Sequence, residues 1–202
     1  MKKKFVLIIA IVLVAATACA LLVGCAPKTP VDFMDKWLDS NNKAMVMGDT
    51  EISIYGNVAM AKTKKGDLES VSYTEITDDS INMYSSRVVD GKTTWSAFSM
   101  TKAEFKEMYK LETDDVTMND VLKSSIEFDK DDYKDFDKNF TKENGVYVGN
   151  AGTEFEGISI TITAKEMTIS MTMGETKIEA TYKIGCDKIE IPQEAKDALV
   201  KE

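Results

Sequence analysis

Chemistry in this chain has to come from carboxylates, hydroxyls and three cysteines, because its 202 residues include no histidine. That excludes a Ser-His-Asp triad, a histidine general base and a His-ligated metal site. No G-x-S-x-G elbow, P-loop or dinucleotide fingerprint occurs. The acidic run Asp129 to Asp137 is the place to look for a cation loop. Counted from Asp135, Asp137 and Asn139 fit the third and fifth ligand positions, but Phe140 stands where glycine is required and Val146 where a bidentate glutamate is required. The pairs Asp114-Asp115 and Asp131-Asp132 read as solvated charge rather than as an acid–base pair. No catalytic residue, metal ligand or cofactor is expected, and the chain reads as non-enzymatic.

The cysteines carry more information. Lys2, Lys3 and Lys4 precede a nearly uncharged apolar run from Phe5 to Val23, which is the pattern of a secretory signal over residues 1–24. The run also approaches the ~20 apolar residues that span a bilayer, so the junction decides. Leu22-Val23-Gly24-Cys25 resembles the bacterial lipobox read by lipoprotein signal peptidase. In that motif a branched residue fills a pocket, a small residue allows close approach at the scissile bond, and the cysteine thiol accepts a diacylglycerol. The resemblance makes Cys25 the lipid attachment site. A single acyl chain binds a membrane only marginally, at ~0.8 kcal/mol per buried methylene, and two or more chains on one residue make the anchor durable.

Cys19 leaves with the signal and Cys25 is consumed by lipid, so Cys186 remains alone and no intramolecular disulfide can form. It follows an apolar strand at Gly185 with no local base beside it, and a small buried apolar role is expected. Exported, disulfide-free and rich in Lys, Asp and Thr, the chain reads as a Gram-positive lipoprotein held on the extracytoplasmic face of the cell membrane. Without residues 1–24 the chain has 178 residues, with 22 basic against 34 acidic, a net charge of −12. That surface excludes nucleic acid, whose phosphates need a basic footprint, and leaves membrane contact to the tether.

Residues 25–30 form the lipidated tether and residues 31–202 the folded part. Phe33, Met34, Trp37 and Leu38 predict an amphipathic helix over Val31 to Ala44. From residue 51 the period becomes two. Ile52, Ile54, Val58 and Met60 share one face of a strand pattern over Glu51 to Met60. The same alternation places Ile158, Ile160 and Ile162, then Met167, Ile169, Met171 and Met173, then Ile178, Ala180, Tyr182 and Ile184 on the apolar faces of further half-buried strands. Turn signals fall at Lys65-Gly66-Asp67, Asp78-Asp79, Asn150-Ala151-Gly152 and Gly174-Glu175, with Asp90-Gly91 the strongest hairpin signal. Thr101-Lys102-Ala103-Glu104 is a capping box opening one helix, and Thr117 to about Ile126 predicts another. Residues 129–144 admit both a helix and a solvated linker or short strand. Ile189-Glu190-Ile191-Pro192 predicts a closing strand, followed by a helix over 193–200.

The expected class is α+β, a curved antiparallel sheet in a half-barrel meander covered by a few helices. Eleven of the 12 methionines follow the signal, and Met60, Met167, Met171 and Met173 sit on strand faces. Thioethers repack around irregular ligands and also fill ordinary cores; composition supports both equally. The order of lipobox, short tether, first helix, long meander with a helical insert after Asp90-Gly91, and Ile-x-Ile-Pro at 189–192 resembles the half-barrel lipoproteins related to the LolA and LppX carriers. That resemblance runs over residues 31–200 and implies an acyl-chain cavity between sheet and helices. It makes Met60, Ile158, Ile160, Ile169, Met171, Met173 and Tyr182 the expected lining of a hydrophobic or lipid-like ligand site. The alternative is a structural or protein-interaction lipoprotein whose partner is an envelope protein and whose apolar face is a packed core.

Overall fold

A computed structural model describes residues 27–66, 68–89, 91–113, 115–126, 133–173 and 176–199. The signal and Cys25 lie outside the described residues, as do Asp90, Asp114, Asp131-Asp132 and Gly174-Glu175. Among the described residues the chain runs α1 (Pro30–Asp39), β1 (Asn42–Met47), β2 (Thr50–Tyr55), β3 (Val58–Lys65), β4 (Leu68–Ile76), β5 (Ser80–Val89) and β6 (Lys92–Thr101). It continues as α2 (Lys102–Tyr109), α3 (Met118–Ile126), α4 (Phe136–Asn139), β7 (Phe140–Glu143), β8 (Val146–Gly149), β9 (Ile158–Ile162), β10 (Glu166–Met173), β11 (Thr176–Ile184) and α5 (Gln193–Leu199). The paired strands are antiparallel, so the class is α+β. No helix among the described residues is long and apolar enough to cross a membrane.

Two compact units share the chain: residues up to Gly48 with Phe128–Gly185, and Asp49–Glu127 with Cys186–Glu202. In the first, the strand order is β1-β11-β10-β9-β8-β7. Register aligns Met45, Tyr182 and Met167 across three strands, and Met47, Ala180, Ile169, Ile160 and Tyr147 across five. This face is buried almost without gaps, and α1 lays Phe33, Met34 and Trp37 on it. Phe136 of α4, Phe140 and Phe155 complete the core as a ring cluster with centroids 5.4 to 5.7 Å apart.

The first helix ends five residues earlier than the apolar spacing predicts, at Asp39 rather than Ala44. Thr29 accepts from the Asp32 amide at 3.1 Å and Pro30 occupies the first turn, which defines the start. At the other end the Ser40 hydroxyl donates to the Asn42 carbonyl at 2.7 Å and accepts from its amide at 3.1 Å. That local turn competes with continued helix, and Lys43 to Met47 then pair with β11 as a strand. Lys43 is fully buried; its ammonium donates to the Leu38 carbonyl at 2.7 Å and stands 4.9 Å from the Trp37 ring centroid. A cation at a helix C-terminus and over an indole face is favourable on both counts.

The second unit is a meander in the order β6-β5-β4-β3-β2. The expected single strand over residues 51–60 is a hairpin, turned at Gly56-Asn57 with Gly56 at φ 60°. Pairing Ile54 with Ala59 and Ser53 with Met60 puts Ala59 and Ala61 on the face of Ile52 and Ile54, and moves Val58 and Met60 to the other. A two-residue turn pairs even positions with odd ones, so the alternation counted straight through it assigns the wrong face. Both faces of this meander are covered. Ala195 of α5 packs on Tyr84 and Ala97, with Tyr73, Trp95 and Ile191 around them, while Met118, Val121 and Leu122 of α3 are buried against the face carrying Ile52 and Ile54.

The capping box at Thr101 is present, with the Glu104 amide donating to the Thr101 hydroxyl at 3.2 Å and the Thr101 amide to the Glu104 carboxylate at 2.7 Å. Thr117 and Asp120 repeat the arrangement at the start of α3. Residues 133–143 resolve the open segment as α4 followed by β7. The expected strand at Ile189-Glu190-Ile191 is absent, since residues 185–192 run without ladder partners before Gln193–Leu199 turns helical.

Candidate functional site

Ile52 and Ile54 on β2, Ala59 and Ala61 on β3, and Ser72 and Thr74 on β4 form one wall of a cavity of about 170 Å³, and Met118, Val121 and Leu122 of α3 form the other. Two properties of the sequence make the space. Ala59 and Ala61 put only methyl groups on the sheet face opposite the helix, and Thr117 with Asp120 fixes where α3 begins. The lining is apolar except for the hydroxyls of Ser72 and Thr74, which suits an apolar guest fixed by few polar contacts. Its volume is close to that of an engineered 150 Å³ cavity that stays dry and binds benzene, and below the ~300 Å³ at which drug-sized sites begin. A short hydrocarbon segment fits; a whole lipid does not.

A second recess of about 360 Å³ lies on the opposite face, between Val58 and Glu75 and the segment Lys188 to Ile191 with Lys196. Three of its charged groups have partners: Lys188 donates to Glu190 at 2.8 Å, and Glu75 accepts from the Tyr84 hydroxyl at 3.1 Å. Burial and the adjacent Glu75 push the Tyr84 phenol up to about 12.

Of the residues expected to line a ligand site, Met60 alone borders the apolar cavity, as the β3 residue between Ala59 and Ala61, although the register puts its side chain on the opposite face. Ile158, Ile160, Ile169, Met171 and Tyr182 come together on one face of the first unit, but as buried side chains under α1, and neither cavity touches them. The Met173 side chain and Cys25 lie outside the described residues. Cys186 is half-buried rather than buried, and its thiol donates to the Ile54 carbonyl at 3.0 Å. The described carboxylates of the acidic stretches are tied to neighbours. Lys102 donates to Asp115 at 2.8 Å and Lys138 to Asp135 at 2.6 Å, and these bonds hold both carboxyls below the usual aspartate range. No group of three or more metal-ligating side chains occurs among the described residues.

The wall residues Ala59, Ala61, Ser72 and Thr74 were not legible as a site. The only signal was the pair of alanines at alternate positions after Gly56-Asn57, and it acquires meaning once the hairpin is known. No family model, no curated protein and no solved structure matches the chain.

Proposed function

We propose that the protein is a non-enzymatic lipoprotein, anchored through diacylglyceryl-Cys25 on the extracytoplasmic face of a Gram-positive cell membrane, that takes up a hydrophobic or lipid-like ligand. The observation that carries the ligand half is the apolar cavity of about 170 Å³ between β2–β4 and α3. The carriers with half-barrel folds that the sequence resembles supply the ligand class, and the volume limits the buried part to the end of an acyl chain. The Leu22-Val23-Gly24-Cys25 junction supports the anchor.

Titrating octanoate while following the Met118 methyl resonance by NMR tests the ligand. Saturable shifts that disappear in Ala61→Leu, with α3 still folded, are expected. An unshifted wild-type resonance sinks the carrier reading and leaves an interaction module, which the packed face of Ile160, Ile169 and Tyr182 favours. For the anchor, labelled palmitate follows the wild type and not Cys25→Ala; label on the variant overturns the assignment.

A further inference from the structure

Three residues after Cys25, at Lys28, the chain is already fastened to the first unit. The Tyr147 hydroxyl of β8 donates to the Lys28 carbonyl. The Val31 amide donates to Asp137 at 3.3 Å, and Lys28 and Thr29 close on Asp32 in the first turn of α1. Three residue steps reach at most about 11 Å. A lipid on Cys25 therefore leaves no stalk: wherever the acyl chains enter the bilayer, Lys28 and the strand that holds it follow within that distance.

The geometry points to the β7–β8 hairpin, the outer edge of the first unit's strand order, as the surface that rests on the lipid headgroups. This inference rests on the lipid-anchor reading above and adds an orientation to it. The strand facing the bilayer would be β7, four residues long, with Thr141, Lys142 and Glu143 exposed. Short charged edge strands are poor templates for further pairing and are compatible with a wet headgroup layer. The charge fits as well. Although the chain beyond the signal carries a net −12, residues 28–32 and 134–143 hold four lysines against four acids, so this edge meets anionic headgroups without the repulsion the rest of the surface would bring. Lys28 and Lys142 are exposed beside Tyr147, with the Lys142 ammonium 4.8 Å from its ring centroid.

Strand spacing makes the orientation measurable. Glu143 on β7 and Lys177 on β11 are exposed and separated by four strand spacings, about 19 Å. Full-length protein, lipidated in its host with Cys186→Ala as background, is labelled with a nitrobenzoxadiazole at Glu143→Cys or Lys177→Cys. It is then placed in phosphatidylcholine–phosphatidylglycerol vesicles carrying a headgroup nitroxide. Quenching at position 143 several-fold stronger than at 177 is expected, and equal or reversed quenching overturns the proposal. Unsubstituted protein gives an independent reading: Lys28 and Lys142 become protected from acetylation on vesicles relative to detergent while Lys177 does not, and loss of that contrast overturns the proposal too. Mass spectrometry of the same samples separates the two failures. Diacylglycerol on Cys25 with no contrast removes the orientation alone, whereas an unmodified Cys25 removes the anchor and the orientation with it.

Discussion

Trp37 stands edge-on to Tyr182, ring centroids 5.1 Å apart and planes at 90°, while its indole N–H donates to the Ala44 carbonyl at 3.0 Å. One side chain thus ties α1 to β11 through an aromatic edge and to β1 through a hydrogen bond. Burial raises the Tyr182 phenol above its usual range, as expected of a hydroxyl withdrawn from water under that helix. Trp37→Ala should cost about 3–5 kcal/mol of stability through cavity formation and lost transfer energy. Trp37→Phe keeps an aromatic edge but leaves the Ala44 carbonyl without its indole donor, and should cost about 1–3 kcal/mol. Urea unfolding read from the amide exchange of β11 orders the variants; a Phe variant as damaging as Ala would show that the hydrogen bond, not the ring, carries the contact.

Gly149 is constrained by a neighbour and not by its own backbone angle. A Cβ placed there would lie 1.8 Å from the Phe155 carbonyl oxygen, a contact no rotamer change relieves. Gly149→Ala should therefore cost at least the ~1–3 kcal/mol typical of overpacking and displace the Phe155 ring from Phe136 and Phe140. Thermal unfolding together with the aromatic NMR shifts checks this. An unshifted melting temperature with unchanged ring shifts would remove the close approach.

Glu104 should make α2 sensitive to acid. The Thr101 amide donates to its carboxylate at 2.7 Å and the Thr101 hydroxyl at 2.8 Å, holding the carboxyl below its usual value of 4.5. A depressed folded value means that the stabilisation is complete above 4.5 and is lost as pH falls through the folded value. Amide protection across Lys102–Tyr109 should drop in that acid range and stay flat above it. Thr101→Ala removes the hydroxyl and keeps the amide, the larger cause, so it should move the Glu104 titration only part of the way back toward its usual value; a titration unmoved by that change would show that the hydroxyl does not help to set it.

Tyr84 predicts the opposite dependence at high pH. Its phenol is pushed from 10 up to about 12 by burial first and by Glu75 second. Because the folded state holds this proton more tightly, the contribution is whole below 10 and is lost as pH rises toward 12. Tyrosinate absorbance of the wild type should show a late step near 12 that Tyr84→Phe lacks. If the step persists in the variant, it belongs to another tyrosine.

The antiparallel α+β class, the capping box at Thr101 and the apolar sets on β9, β10 and β11 could be read from order and period alone, because each depends on neighbours a few residues apart. The turn at Asn144-Gly145, where both residues take positive φ at 50° and 87°, carries an equally local signal, so β7 and β8 were legible in principle. What local pattern could not decide was the partner of each apolar face. Ile160, Ile169 and Tyr182 alternate as a ligand-lining strand would, yet α1 fills the space above them with Trp37, a contact spanning 145 positions in the chain. The cavity instead lies where Ala59 and Ala61 meet α3, and two small residues at alternate positions mean nothing in sequence until the hairpin puts them opposite that helix. Period determines which side chains share a face; only the packing of distant elements determines whether that face is filled or left open, because a void is a property of two surfaces and a sequence pattern describes one.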